Sequence, residues 1–101
     1  MTEYNGWTNW ATWSTNLWMT NDEGTYEAAR EIMAPYITEA DPDDLDHLVR
    51  TVDAYAAGKA LREWWDEAFA PEDPSGPLSD AWSAMLDDVN WTEIAEGLAE
   101  A

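Results

Sequence analysis

The chain contains no cysteine, so disulfides and thiolate chemistry are excluded. It has one histidine, His47, set among Asp43, Asp44 and Asp46. A zinc-type site needs more nitrogen ligands than that. The acids from Asp41 to Asp46 do not form an EF-hand loop either, because the central Gly and the correctly spaced bidentate Glu are missing. Adventitious cation binding there is plausible; a specific metal site is not expected. Basic residues number only 4, too few for a phosphate-binding patch, which sets the chain against direct nucleic-acid binding. Long apolar runs and a signal-peptide pattern are both missing, so no membrane span is expected and the cytoplasm of a host cell is the expected location. There is no P-loop, nucleophile elbow or Gly-rich dinucleotide fingerprint. Paired carboxylates are too abundant for their presence to nominate a general acid and base. The expectation is a protein that is not an enzyme and carries no cofactor.

What the chain has is acid. Asp and Glu number 22, and the net charge is -18. A length of 101 residues fits one domain, residues 1–101, with a modest core. Hydrophobic content of 46% argues against disorder despite the charge. Such a surface repels nucleic acid and anionic lipid, and it attracts basic surfaces, including those that normally hold nucleic acid. Self-repulsion also destabilises the compact state, so added salt is expected to help folding.

The stretch from Tyr4 to Met19 holds Trp7, Trp10, Trp13 and Trp18, half of the 8 tryptophans. Asn5-Gly6 is a turn dipeptide. Thr8 or Asn9 can cap a helix that follows to about Thr20. Trp10, Trp13 and Leu17 share one helical face, widened by Ala11 and Trp18; Thr12, Thr15 and Asn16 lie opposite. Helical spacing favours these indoles as core filler. The competing reading makes some of them exposed anchors for a partner protein.

Further helices follow. Asn21 and Asp22 offer a stop and a new cap. Tyr26, Ala29, Ile32 and Met33 stripe a second helix, which Pro35 ends. Asp41 as N-cap and Pro42 at N1 predict a helix from about Pro42 to Phe69. Its stripe is Leu45, Leu48, Val49, Val52, Tyr55 and Ala56, then Leu61, Trp64, Trp65 and Ala68. Gly58 is a possible kink, with two shorter helices as the alternative. Ala70 to Pro77 reads as a loop. Leu78, Trp82, Met85, Leu86 and Val89 stripe a fourth helix opened at Pro77 or Leu78. Asn90 and Glu93 have capping-box spacing, and Val89 with Ile94 fits a hydrophobic staple. Trp91, Ile94, Ala95 and Leu98 form the buried face of a fifth helix. No alternating strand pattern is visible. The expected fold is all-α, a compact single domain of four or five helices.

Tyr4, Asn5, Gly6, Trp7, Thr8, Asn9, Trp10, Thr12 and Trp13 fit a "YNGWTN-aromatic-x-TW" opening. Leu17-Trp18 and Asn21 to Tyr26 fit the same pattern. Val89 to Ala95 resembles a "VDWxEIA" ending, with Asn90 in place of the usual Asp. Both ends resemble a small, largely uncharacterised family found on phages, plasmids and in halophilic archaea; the middle does not match clearly. The resemblance implies a mobile-element origin and no enzyme activity. Small proteins of mobile elements often act against host defence.

Each basic residue has acids at helical spacing: Arg30 with Glu27, Arg50 with Asp46 and Asp53, Lys59 with Glu63, and Arg62 with Asp66. The surplus acid has two explanations. In the first, the protein is an anti-restriction or anti-CRISPR inhibitor that imitates nucleic acid. Carboxylates three or four residues apart on a helix are spaced about 5–6 Å at Cβ, comparable to phosphates on a strand. Its partner would be the basic DNA-binding surface of a host defence protein. The candidate contact rows are Asp41, Asp43, Asp44 and Asp46; Glu63, Asp66 and Glu67; Glu72 and Asp73; and Asp87, Asp88, Glu93 and Glu96. In the second, the acid is solvation in a high-salt cytoplasm and carries no partner information. A phage accessory or regulatory protein is a third class. A homodimer is possible, and exposure of Trp64 or Trp65 would point to one.

Overall fold

The computed structural model describes residues 6–40, 49–73 and 75–100, and at residues 39, 40, 49 and 50 the backbone alone. Among the described residues five helices carry the fold: α1 (Trp10–Asn21), α2 (Glu23–Met33), α3 (Ala54–Phe69), α4 (Pro77–Asp88) and α5 (Trp91–Glu100). A 3-10 turn, Ala34–Tyr36, follows α2 and contains Pro35. Two short strands, β1 (Ile37–Ala40) and β2 (Val49–Val52), pair antiparallel.

The helix starts obey local chemistry. Gly6 has φ +89, a left-handed value that turns the chain ahead of Trp7. Asn9 caps α1, its side chain accepting from the Thr12 N–H at 2.9 Å. Asp22 does the same for α2 through Thr25. Pro77 is the first residue of α4, where a missing N–H costs nothing. Asn90 Oδ1 accepts from the Glu93 N–H, which starts α5.

The expected helix from Pro42 to Phe69 is corrected. Its first turn, with Asp41, Pro42, Leu45 and Leu48, lies outside the described residues. Val49 to Val52 is strand, in register Ile37↔Val52 through Ala40↔Val49. Val49 and Val52 are three apart and so imitate a helical stripe, yet their β-branched side chains suit a pleated strand. Ile37 and Val52, paired across the strands, both pack against the core. The helix begins instead at Asp53, whose side chain accepts from the Ala56 N–H at 3.1 Å.

From there α3 runs unbroken through Gly58. A Cβ at Gly58 would stand 2.9 Å from both the backbone carbon and the oxygen of Trp91. This glycine lets α3 approach the start of α5, and these two helices share the most extensive contact in the fold. Met19, Met33, Leu61 and Ile94 are the largest fully enclosed apolar side chains, one each from α1, α2, α3 and α5. Burying each contributes about 1.5–3 kcal/mol. Val89 and Ile94, the expected staple pair, both lie in this core. Tyr55, Ala68 and Leu78 fit the apolar stripes by spacing and are exposed.

The first helix is turned from expectation, although Ala11 of the expected face is buried and Trp13 half-buried. Its buried residues are Ala11, Thr12, Ser14, Thr15 and Met19. Trp10 is 53% exposed, Leu17 42% and Trp18 66%. Small residues turn inward because they let α1 settle closely against α2, α4 and α5. Trp7 does pack against the core, and its ring lies over Gly97 of α5.

Candidate partner-binding surface

The outward face of α1 leads directly to a groove of about 740 Å³. Trp10 and Trp18 form its α1 side, with Ser14 and Thr15 between them. Trp65 and Phe69 come from α3, and Trp82 and Met85 from α4. Asp22 and Thr25 stand where α2 begins. The aromatic wall is ordered by its own contacts: Trp65 meets Phe69 at a centroid distance of 4.5 Å and Trp64 edge-on at 5.7 Å. The Trp82 indole N–H donates to Asp66 Oδ1 at 2.7 Å, which fixes that ring in the wall.

α1 contains no charged residue at all, in a chain of net charge -18. Its exposed face therefore offers water three large apolar side chains and no compensating charge. Monomeric proteins rarely leave contiguous apolar surface of this kind uncovered without a use for it. Tryptophan is also the residue most enriched at the energetic centres of interfaces. The core-filler reading is thus overturned for Trp10 and Trp18. Trp64 is half-buried and Trp65 buried, so the exposed indoles are not the two that would have pointed to a dimer.

The predicted acidic positions fall into different roles. Asp41, Asp43, Asp44 and Asp46, with His47, lie outside the described residues. Glu63 and Glu67 are exposed on α3, and Glu72 is exposed beyond it. Asp73 is exposed but holds a local turn, accepting from both the N–H and hydroxyl of Ser75. Those bonds lower its pKa. Asp66 is occupied by Trp82. Asp87 pairs with Arg62 at 2.6 Å, joining α4 to α3. Asp88 is exposed and, with Asp87, flanks the far side of Trp10. Glu96 is exposed on α5 beside Glu100, facing Thr51 and Val52 of β2. Glu93 accepts from the Thr8 N–H at 3.1 Å and so ties the opening segment to α5. The helices bring Asp87, Asp88 and Trp10 together; they do not gather all the rows on one face.

The expected local ion pairs of Arg30, Lys59 and Arg62 give way to other contacts. Arg62 reaches Asp87 on α4 in preference to Asp66 on its own helix. Arg30 lies over the Tyr26 ring at 5.8 Å, and Lys59 over Tyr55 at 5.6 Å. The Arg50 side chain is outside the described residues. Arg62–Asp87 is the single ion pair among the described residues. No group of three or more potential metal ligands gathers among them. None of the described helices is long and apolar enough to cross a membrane.

The two end motifs meet in space. Asn9 Nδ2 donates to the Asp88 carbonyl at 2.8 Å, the Asn90 N–H donates to Thr12 Oγ1 at 2.8 Å, and Asn90 Nδ2 reaches Thr8 Oγ1 at 3.4 Å. A family model spanning both motifs matches residues 1–100, and it describes a family of unknown function, DUF7249. The chain belongs to DUF7249. No curated protein and no solved structure matches it. In this DUF7249 member the polar motif residues Thr8, Asn9, Thr12 and Asn90 join α1 to the α4–α5 corner, whereas Trp10 and Trp18 of the opening motif face outward.

Sequence reasoning missed the groove as a unit. Its walls come from positions 10 to 85 and share no sequence motif. One signal was available: Ala11, Thr12, Thr15 and Met19 also recur at helical spacing, and a buried stripe of small residues turns Trp10 and Trp18 outward.

Proposed function

We propose that this protein is an anti-defence protein of a mobile element, an inhibitor of a restriction or CRISPR system. It acts by presenting acid on a rigid helical scaffold to a basic surface that normally binds nucleic acid. The observation that carries the reading is uncompensated charge: net -18, with one ion pair among the described residues. Glu63, Glu67, Glu72, Asp88 and Glu96 are exposed and free to face a partner. Steering between opposite charges makes such encounters fast and salt-sensitive. Both chain ends resemble a family found on phages, plasmids and in halophilic archaea; the phage and plasmid members agree with this role.

The test is capture on immobilised protein from host lysate at low salt, followed by mass spectrometry of what elutes as salt rises. A DNA-processing complex should be recovered, and the protein should compete with its DNA. Reversing Glu63, Glu67, Asp88 and Glu96 to Lys should abolish competition; unchanged competition would remove the mimicry reading. Glu93 is unsuitable for this test because it holds Thr8.

One observation favours a second reading, solvation in a high-salt cytoplasm. Exposed acids sit on four of the five helices: Glu23, Glu27 and Glu31 on α2, Glu63 and Glu67 on α3, Asp80, Asp87 and Asp88 on α4, and Glu96 and Glu100 on α5. A halophile protein should unfold in low salt, whereas an inhibitor from an ordinary bacterium should stay folded there.

A further inference from the structure

We infer that the aromatic groove between α1, α3 and α4 is a docking site for an amphipathic helix of a partner protein, apolar on one face and carrying Lys or Arg beside it. This inference holds whether or not the acids imitate nucleic acid.

The apolar part of the claim follows from the walls. Trp10 and Trp18 are the groove's most exposed indoles, and Phe69 opposite them is 48% exposed. Each can bury a large area against an inserted side chain. The helical form of the partner follows from the backbone. All three walls are helices, whose interior N–H and C=O groups are already paired with one another. An extended peptide laid here would find no strand edge, and its own backbone groups would be desolvated without partners. A helix satisfies those groups internally and inserts only side chains. Trp10 and Trp18 are eight residues apart, about 12 Å along α1. That span fits apolar residues at i, i+3 or i+4, and i+7 of the incoming helix.

The cationic part follows from the rim. Asp22 stands at the Trp18 end of the groove. Asp88 flanks Trp10 at the other, beside Asp87, whose carboxylate already pairs with Arg62. Asp22 is held ionised by the Thr25 backbone N–H and hydroxyl, which lower its pKa. Flanking Lys or Arg would meet these carboxylates at the edge of the contact, where charge sets orientation and encounter rate. The same charge opposes a second copy as occupant, because each copy carries -18.

The probe is a synthetic, fluorescein-labelled 18-residue helix of Leu and Lys, with Leu at i, i+3, i+4 and i+7. A peptide of identical composition with scrambled Leu positions, and one with Glu in place of Lys, complete the set. Fluorescence anisotropy at moderate salt reads binding, and a blue shift of the intrinsic tryptophan emission reports whether the groove is covered. The patterned peptide should bind at least tenfold more tightly than the scrambled one, and the Glu peptide should not bind. Trp18→Ala should weaken binding at least tenfold without loss of helical circular dichroism, since Trp18 is mostly outside the core. Leu78→Ala, an exposed site that does not line the groove, should leave it unchanged. Equal affinity for patterned and scrambled peptides, or full affinity in Trp18→Ala, would overturn the proposal. So would a stable homodimer in sedimentation velocity that Trp18→Ala dissolves, because the occupant would then be a second copy. Loss of peptide binding with DNA competition intact would sink this inference alone; the reverse outcome would sink the mimicry alone.

Discussion

The backbone N–H of Asn90 donates to the hydroxyl of Thr12 at 2.8 Å, joining residues 78 positions apart. Thr12 in turn donates to Asn9 Oδ1 at 2.7 Å, and Asn9 Nδ2 reaches back to the Asp88 carbonyl. One buried threonine thus sits in a closed circuit between the start of α1 and the start of α5. Glu93, which capping-box spacing would turn toward the Asn90 N–H, is used on Thr8 instead, because Thr12 already serves Asn90. The conspicuous polar residues at the two chain ends therefore act as a clasp.

Thr12→Val keeps the shape and removes the hydroxyl. It should lower stability by about 1–3 kcal/mol, the cost of leaving polar partners unmatched in a packed site. Urea unfolding at fixed salt measures it, and Thr12→Ser should recover most of the loss. An unchanged midpoint in Thr12→Val would show that water replaces the hydroxyl freely.

Gly58→Ala opposes two effects. Alanine improves helix propensity by about 1 kcal/mol. Its Cβ, however, would meet the Trp91 backbone at 2.9 Å, and backbone cannot step aside as a side-chain tip can. Overpacking of that kind costs about 1–3 kcal/mol, so the net change should be destabilising. A raised melting temperature would mean that α3 and α5 slide apart easily.

These two sites show what the sequence makes legible. The buried stripe of α5 could be read, since Trp91, Ile94, Ala95 and Leu98 share one face and all are buried, with Ala99 beside them. The caps at Asn9 and Asp22 and the helix start at Pro77 were readable because helix initiation is local chemistry. Gly58 was visible only as a helix defect, and its neighbour Trp91 lies a helix and a loop away. α1 misleads because two stripes fit its period, one of tryptophans and one of small residues. Which of them turns inward depends on how closely α4 and α5 approach. Val49 and Val52 mislead for the related reason that a spacing of three serves a helix, while their strand pairing needs Ile37 to Ala40. Of the site, the acid was legible as composition; the groove required α1, α3 and α4 to be brought together.

Asp22 carries a pH prediction whose sign can be worked out. The Thr25 N–H and hydroxyl stabilise its charged form, so its pKa in the folded protein lies below the ordinary aspartate value. The cap's contribution is therefore complete above the unfolded pKa of about 3.9 and is lost as pH falls through the lower folded value. The Asp22→Asn variant keeps a capping oxygen that does not titrate, so it caps at any pH. Wild type should thus lose stability relative to Asp22→Asn on acidification below the ordinary aspartate pKa. The comparison must be a difference between the two proteins, because protonating the other acids also relieves global repulsion. Thermal melts of both across that pH range measure it; parallel curves would mean that Asp22 contributes no charge-dependent capping.

Salt separates the two accounts of the acid. With one ion pair among the described residues, added salt screens repulsion and breaks little attraction. The melting temperature should therefore rise with sodium chloride under either account. The accounts differ at low ionic strength, where the Debye length is about 30 Å at 0.01 M and repulsion spans the whole domain. A surface selected for solvation in brine should then lose its helical circular dichroism. A surface selected to meet a basic partner must hold its carboxylates in place there, so the spectrum should persist. Reversing Glu63, Glu67, Asp88 and Glu96 to Lys changes the net charge by +8 and should raise the low-salt melting temperature in both cases. Only under mimicry should the same substitutions also end competition with DNA, and stabilisation without loss of competition would assign these four acids to solvation.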